Sequence, residues 1–414
     1  MKASLLLLLA LALLLTVPMA LAESRTWTSA DGRTLTAELL AVEGDQVTLK
    51  TERGNFQLPL SRLSEPDQAY AKEWKAKSVA PPTSAPAPGS PAGGGDTDKS
   101  LGDFANLKPG VWPNAVSADF EVDQIEVVKE DKDAGEYVYR SPHFEFHSPL
   151  KLSTTVVREF SRIFEATFEF MKAMPIGLSP KPKEGGHYFT QLYDSMDAYY
   201  GAGGVPGSGG MFSYSWRGSE VLKSEIHVPL TSLGVEFTGT RYIVDHGKRS
   251  DTLVHEIAHQ MTGRWLPVLP VWFKEGLAET VSTQRYDSGR FTLTSMDRAI
   301  REDVTERTGN DREFTMLNLE TLMNLTSEEW AAALQERTGG AVNYPSANLL
   351  FYYFLRIEGD GKGSSMIEYM KAIAAGTPEA QARGEILMRG KTYAEIQDEV
   401  AKGWRSQGLQ LTFR

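Results

Sequence analysis

The chain has 414 residues, with 43 Lys and Arg against 54 Asp and Glu, and no cysteine. The net charge of -11 argues against nucleic acid as a partner, because nucleic-acid binding needs a basic surface. Without cysteine the chain can form neither disulfides nor a Cys nucleophile nor a thiolate metal site. Any metal must therefore be held by histidines and carboxylates. The length allows two or three domains.

The beginning of the sequence has the pattern of a secretory signal peptide. A short charged start leads into an apolar run from Leu5 to Leu15, and Ala20-Leu21-Ala22 supplies small residues for cleavage. A membrane anchor is the alternative, but it needs about 20 apolar residues and Pro18 interrupts the run. Cleavage after Ala22 predicts a secreted or periplasmic protein with no membrane span after residues 1–22 are removed.

Residues 23–77 alternate between short apolar-patterned segments and turns. Thr34 to Val42 and Gln46 to Lys50 are separated by Gly44-Asp45, and Gly54-Asn55 precedes the next segment. This punctuation predicts a meander of strands, closed by a short helix from Ser64 to Trp74. The stretch resembles the Sla-type homology domain, a small SH3-like barrel of exported bacterial proteins. The resemblance implies an all-β binding module with a protein or cell-surface ligand.

Residues 78–100 form a predicted linker. They contain five prolines among Ala, Ser and Gly, namely Pro81, Pro82, Pro86, Pro88 and Pro91. Such a composition cannot bury enough apolar surface to fold and instead makes a semi-extended tether. The second domain then spans residues 101–414, large enough for two lobes.

Residues 101–414 change character near position 250. Before it, Glu136 to Tyr139, Phe144 to Phe146 and Gly185 to Leu192 have strand patterns, and a long helix is predicted from Ser153 to Met174. After it, the apolar spacing is mostly helical, with a capping-box start at Thr326-Ser327-Glu328-Glu329. The sequence predicts an α+β domain with a β-rich lobe followed by an α-rich lobe.

The residues His255-Glu256-Ile257-Ala258-His259 form an H-E-x-x-H motif in a helical context. On a helix, His255 and His259 lie one turn apart on one face, the separation that lets two imidazoles reach a single Zn²⁺ ion. Glu256 lies beside them and is not a ligand. It is predicted to act as the general base that takes a proton from the metal-bound water.

The third ligand is predicted downstream. A metzincin would need Gly and His where this chain has Thr262 and Trp265, so that class is excluded. Pro270 can open a second helix, and Glu275 in its first turns completes a His₂Glu site with an open position for water. Glu279, one turn further, can accept the free N–H of a ligand imidazole. A solvated surface carboxylate is the equally weighted alternative for Glu279.

The segments HEIAH and PVWFKEGLAE together resemble the gluzincin peptidases of the aminopeptidase and thermolysin kind, especially exported bacterial relatives with a W-x-x-E-G-x-A-E signature. Only 15 residues separate His259 from Glu275, fewer than in the aminopeptidase pattern. The resemblance implies a zincin-like fold, a zinc cofactor and a peptide or protein substrate.

The family fold also implies an edge strand above the zinc, which pairs with an extended peptide. Met211 to Trp216 or Ser224 to Leu230 could supply it, flanked by the loop from Gly201 to Gly210. By the same resemblance, Tyr344 is the candidate for stabilising the oxyanion. The remaining histidines lack metal spacing and are expected to be structural or exposed; they are His143, His147, His187, His227 and His246.

Two functions are open on these patterns. The first is an exported zinc metallopeptidase. The alternative is a non-catalytic zinc fold that binds or scaffolds through the N-terminal module. The presence of Glu256 favours the first, because a scaffold has no need of a general base.

Overall fold

The computed structural model describes residues 25–29, 34–43, 46–51, 54–64, 66–71, 101–182, 186–205, 208–217, 220–247, 251–334 and 339–414. The chain divides into two compact units, Met1–Thr83 and Ser84–Arg414. The predicted signal peptide, residues 1–22, and the whole predicted linker, residues 78–100, lie outside the described residues. Within the described ranges, no helix is both long and apolar enough to cross a membrane.

The N-terminal unit is an antiparallel meander. Its strands follow one another in space as in sequence: β1 (Arg25–Thr28), β2 (Thr34–Glu43), β3 (Gln46–Thr51) and β4 (Gly54–Pro59). A helix, α1, covers residues 66–71. The buried residues of this unit are Trp27, Val47, Leu49, Leu60, Leu63 and Ala71. The predicted strands and the closing helix are thus present in the described residues.

The C-terminal unit combines one large sheet with many helices. Its strands are β5 (Ala115–Ser117), β6 (Glu126–Asp131), β7 (Glu136–Arg140), β8 (Phe144–Ser148), β9 (Tyr188–Tyr193), β10 (Met211–Arg217), β11 (Glu220–Pro229), β12 (Val235–Phe237), β13 (Tyr242–Val244), β14 (Arg285–Asp287), β15 (Arg290–Thr292), β16 (Glu313–Met316) and β17 (Gln410–Phe413). Its helices are α2 (Thr154–Ala173), α3 (Met196–Gly201), α4 (Asp251–Thr262), α5 (Val271–Ser282), α6 (Met296–Thr308), α7 (Leu319–Asn324), α8 (Ser327–Leu334), α9 (Gly339–Tyr352), α10 (Ser364–Ala374), α11 (Glu379–Ala382) and α12 (Tyr393–Ser406).

The large sheet has six strands in the order β10-β11-β9-β8-β7-β6. The pairs β8–β9 and β9–β11 are parallel, and the other pairs are antiparallel. Of the two strands predicted as candidates for the edge, β10 is the edge strand and β11 is internal. The order of a β-rich part followed by an α-rich part is as predicted. The chain is therefore a mixed α/β protein with several sheets.

Helix α2 spans Thr154–Ala173, close to the helix predicted from Ser153 to Met174, and contacts β8 of the large sheet. The Ser153 hydroxyl accepts a hydrogen bond from the backbone N–H of Val156 and caps the helix. The apolar side chains at helical spacing along one side of α2 are buried: Val157, Phe160, Phe164, Phe168 and Met171. Helix α2 also packs on α4, and α4 in turn contacts β10 and β11. The H-E-x-x-H helix is thus held between the sheet edge and the helical part of the unit.

Helix α9 begins earlier than predicted. Helical apolar spacing in the sequence runs from Ser346 to Ile357, which predicts a start at Ser346. In the structure α9 includes Pro345, and a π-helical turn, Tyr353–Ile357, extends it. Nearly the whole second half of α9 is buried, so tertiary packing outweighs the local preference of proline.

Helices α5 and α9 approach closely at Gly276. A Cβ atom at this position would lie 2.4 Å from the backbone oxygen of Ala347 and 2.6 Å from the Cβ of Phe351. Both atoms belong to a rigid, buried helix and cannot move aside cheaply. Only glycine fits here, which gives the glycine of the W-x-x-E-G-x-A-E pattern a packing reason.

We expect Gly276→Ala to lower the free energy of unfolding by about 1–3 kcal/mol, the usual cost of overpacking a core. Thermal and urea unfolding followed by circular dichroism measure it. Gly384→Ala is the matched control, because a Cβ there meets nothing within 4 Å. A Gly276→Ala variant as stable as Gly384→Ala would contradict the close approach of α5 and α9.

Candidate metal centre

Helix α4 presents both histidines of the H-E-x-x-H motif from a buried position. Its apolar residues are buried, and His255 and His259 are only 7% and 9% exposed. The fully buried Gln260 donates from its amide to the backbone oxygens of Phe189 in β9 and Ser224 in β11, at 2.8 and 3.2 Å. These bonds fix the position of α4 along the sheet, and with it the position of the two imidazoles.

A short connection brings α5 back to α4. Gly263, at a φ of 52°, follows α4, and a 3₁₀ turn, Gly263–Trp265, leads away from it. The Trp265 indole N–H donates to the backbone oxygen of Leu178 at 3.0 Å, which anchors the turn on the body of the unit. Helix α5 starts after Pro270, and the buried Lys274 ammonium donates to the backbone oxygen of Leu266 at 3.4 Å. The 15 intervening residues are therefore sufficient to return Glu275 to the histidines.

His255, His259 and Glu275 form a compact triangle of donor atoms. The Nε2 atoms of the two histidines are 3.0 Å apart, and Oε2 of Glu275 lies 3.3 Å from Nε2 of His255 and 3.5 Å from Nε2 of His259. Ligand atoms about 2.0–2.1 Å from a tetrahedral ion lie about 3.3 Å from one another. The three side chains therefore have the spacing to hold one metal ion.

Glu279 supports the first of these histidines. Its Oε1 lies 3.0 Å from Nδ1 of His255, the ring nitrogen that faces away from the triangle. A carboxylate beside Nδ1 accepts a hydrogen bond from the N–H at that position. The proton then stays on Nδ1, and the lone pair of Nε2 is left to bind a metal. Glu279 is 5% exposed, so the alternative of a solvated surface carboxylate is wrong.

Glu256 lies beside the triangle and faces the edge strand. Its Oε2 accepts a hydrogen bond of 2.9 Å from the backbone N–H of Phe212 in β10. The Phe212 ring is nearly parallel to the His259 ring, with centroids 6.2 Å apart. Strand β10 thus contacts helix α4 at both Glu256 and His259.

Tyr344, predicted from the family resemblance, lies near the triangle. Its ring is edge-on to the His255 ring at a centroid distance of 5.6 Å. The ring of Trp330 in α8 packs against its other side at 5.5 Å. Tyr344 belongs to α9, so a packed helix positions its side chain.

The pKa values of Glu256, Glu275 and His255 shift in different directions because their surroundings differ. Burial raises the pKa of Glu256, and the charges of His255 and His259 only partly oppose this. Burial has the same tendency at Glu275, but the two imidazoles outweigh it and hold the pKa of Glu275 well below its usual range. For His255, burial lowers the pKa, but hydrogen bonds and charges of Glu275 and Glu279 outweigh burial and raise it well above its usual range.

The other described histidines with ion-pair partners sit outside this cluster. His143 pairs with Glu165, His147 with Glu145, His227 with Glu225 and His246 with Glu159. In the part of the chain that the structure describes, the His, Asp and Glu side chains form one group with metal-binding spacing, that of His255, His259 and Glu275. The expectation that these histidines have structural or exposed positions agrees with their contacts.

Comparisons of the chain with protein-family models, with curated proteins and with solved structures found no match.

Three contributors to the site have no signal in the sequence. The backbone N–H of Phe212, the indole of Trp330 and the guanidinium of Arg307, which contacts Glu279 at 2.6 Å, all come from elements distant in the chain. A backbone donor carries no residue signature, and neither Trp330 nor Arg307 belongs to a motif. They become visible only when the helices are packed.

We expect the chain to bind one divalent transition-metal ion, and His255→Ala or Glu275→Ala to lose it on dialysis. A ligand deletion removes one of three donors and typically weakens such a site by orders of magnitude. Elemental analysis of the dialysed proteins measures the metal content, with His246→Ala as the control for loss of an unrelated histidine. Metal retained in either ligand variant would disprove the assignment.

Proposed function

We propose that this protein is an exported zinc-dependent peptidase. The observation that supports it best is the triangle of two imidazole nitrogens and one carboxylate oxygen, 3.0–3.5 Å apart, with a second acid, Glu256, beside it. Two histidines and one glutamate are the donor set of catalytic zinc sites that keep one position open. The resemblance to gluzincins, carried by residues 252–279, points to the same activity and to a zincin-like fold.

Zinc held by His255, His259 and Glu275 would supply Lewis acidity, which polarises a peptide carbonyl and makes a water molecule easier to deprotonate. In this proposal Glu256 accepts the proton of the attacking water and returns it to the leaving amine. Burial raises the pKa of Glu256, which makes its carboxylate a stronger base. The Phe212 N–H holds one carboxylate oxygen, so the other oxygen is left to handle the proton.

Tyr344 is proposed to stabilise the oxyanion of the tetrahedral intermediate by donating its hydroxyl hydrogen bond. Burial and the charge of Glu275 raise the pKa of Tyr344, so its hydroxyl stays protonated and remains a donor. Its packing between His255 and Trp330 limits its motion. A preorganised donor of this kind is more effective than a mobile one.

Strand β10 is proposed to bind the substrate as an added strand. Among the described strands β10 pairs with β11 alone, and the proposal places an extended peptide along its other side, next to the Phe212 N–H that binds Glu256. Phe212 and Tyr214 point the same way along it, their rings stacked at 5.3 Å, with Phe212 stacked on His259. A peptide paired with β10 would therefore pass next to the metal ligands.

The N-terminal unit is proposed to be an SH3-like barrel of the Sla-type homology kind. Its four-stranded meander and the bridge between Ser29 and Leu63, which joins the end of β1 to the segment after β4, support this proposal. In this role it binds a protein or cell-surface ligand and leaves catalysis to residues 101–414.

We expect Glu256→Gln to keep the zinc content and melting temperature of the wild type and to lose about 10²–10⁴-fold in turnover, the usual contribution of general acid–base catalysis. The assay incubates each protein with a mixed peptide library, with and without a chelator, and reads the cut sites by mass spectrometry. Glu302→Gln, an exposed acid on α6, is the control for a changed charge.

Cleavage that needs zinc and disappears in Glu256→Gln would support a peptidase. Turnover by Glu256→Gln as fast as the wild type, with zinc bound, would refute the mechanism. Zinc binding without cleavage of any library peptide would favour the second function, a zinc fold that scaffolds through the N-terminal unit.

Tyr344→Phe tests the oxyanion role separately. We expect kcat to fall by about 10²–10³-fold while KM and zinc content stay near wild-type values, because the lost hydrogen bond forms in the transition state. Steady-state kinetics on a peptide identified in the library measures it. An equal fall in zinc content would instead make Tyr344 a packing residue of the metal site.

A further inference from the structure

A chain of charged contacts runs outward from the proposed metal site. Nδ1 of His255 contacts Oε1 of Glu279 at 3.0 Å, and Oε2 of the same carboxylate contacts the Arg307 guanidinium at 2.6 Å. Nε of Arg307 then donates to Oδ1 of Asp303 at 3.0 Å. Both outer residues belong to α6, which carries no predicted site residue.

The contacts of Glu279 leave its carboxylate little freedom. One oxygen is occupied by a metal-site imidazole and the other by a guanidinium, and the side chain is only 6% exposed. A buried carboxylate without a cation is costly, so its orientation depends on where its cation sits. Within the cluster, Arg307 is the cation that binds the oxygen turned away from His255.

Arg307 itself is held in place from its own helix. Arg307 and Asp303 are one turn apart on α6, the spacing at which side chains on a helix meet. Burial raises the pKa of Asp303 to about 6, which leaves Asp303 ionised above that pH and able to pair with Arg307. Near the end of α6, the helix dipole also favours a cation.

We propose that Arg307 is a positioning residue of the metal site. Its guanidinium, oriented by Asp303, fixes the carboxylate of Glu279, and Glu279 in turn fixes the tautomer and ring orientation of His255. This inference rests on the proposed metal site but does not require peptidase activity. The residues act through one another, so a change at Arg307 must reach the metal through Glu279.

A role of Arg307 in metal binding can be distinguished from a role in stability, because the two predict different effects of its loss. If Arg307 only joined α6 to α5, its loss would lower the melting temperature and leave metal affinity unchanged. If it orients Glu279, its loss weakens zinc binding, and the weakening requires that Glu279 be present. The two cases are separated by measuring affinity in single and double variants.

The experiment measures zinc affinity of the full chain by competition with a chromophoric chelator, at a pH well above 6 so that Asp303 is ionised. Changes to carboxylates that support ligand histidines usually weaken metal binding by about 10–100-fold, which we expect for Glu279→Gln. Arg307 acts one step further out and its side chain is 30% exposed, so we expect about 3–10-fold weakening for Arg307→Met. In the Glu279→Gln background, Arg307→Met should add almost nothing.

Arg298→Met is the matched control, because Arg298 lies on the same helix and pairs with the exposed Glu302. Arg307→Lys keeps a cation but cannot bridge both acids as the planar guanidinium does, so its affinity should fall between those of Arg307→Met and the wild type. It also serves as the test variant if Arg307→Met does not fold.

Wild-type affinity in Arg307→Met, or in Arg307→Lys where the former does not fold, would overturn the inference. Weakening that is as large in the Glu279→Gln background as in the wild type would overturn it too. A wild-type chain that binds zinc no more tightly than His255→Ala would instead disprove the metal site itself. The comparison with His255→Ala therefore separates failure of the inference from failure of the proposed function.

Discussion

The close packing of α5 between α4 and α9 is the constraint on which the site depends. A helix can present two donors one turn apart on one face, and here the third donor comes from a second helix that lies within side-chain reach. Gly276 allows α5 to lie directly on α9, with Phe351 and the Ala347 backbone in contact. The next residue back, Glu275, then reaches both histidines, and Glu279 reaches His255 one turn further on. Helix α5 thus packs on α9 through Gly276, while Glu275 and Glu279 reach the histidines of α4.

The attachments of α4 and α5 to the rest of the unit serve the same geometry. Gln260 binds two adjacent strands of the sheet, and Trp265 binds the segment after α2. Lys274, buried beside Glu275, is hydrogen-bonded to the connection between the two helices. These contacts explain how a connection shorter than the aminopeptidase pattern still closes the site. Rigid elements on both sides of a metal site hold its ligands ready before the ion arrives.

The sequence predicted the parts of the site that depend on local spacing. The i, i+4 histidines, the helix after Pro270 and the cap of α2 at Ser153 all follow from patterns within one element, and the structure contains each of them. Strands such as β14, β15 and β16 went unpredicted, because they lie after position 250, where the apolar spacing indicates mostly helices. The start of α9 was misplaced because Pro345 is tolerated inside a buried helix.

Contacts between elements that are distant in the chain could not be predicted from the sequence, because they depend on tertiary packing. Arg307 lies 28 residues from Glu279 and meets it only because α6 packs beside α5. The edge position of β10 depends on strand order, which left two candidates open until the sheet was known. The N–H of Phe212 belongs to the backbone, so no choice of side chain could have marked it. Local patterns therefore identify ligands, whereas the residues that orient them depend on tertiary packing.

Four acids lie within this small region, and their surroundings give each a different role. Glu275 faces two imidazoles, which hold its pKa well below its usual range and keep its carboxylate anionic. Glu256 faces a single backbone donor, and burial raises its pKa, as suits a base that must take up and release a proton. One carboxylate oxygen of Glu279 contacts His255 and the other contacts Arg307. Among the described residues, Asp303 pairs with Arg307. Acids of the same chemistry thus differ in their partners and in the direction of their pKa shifts, because each lies in a different environment.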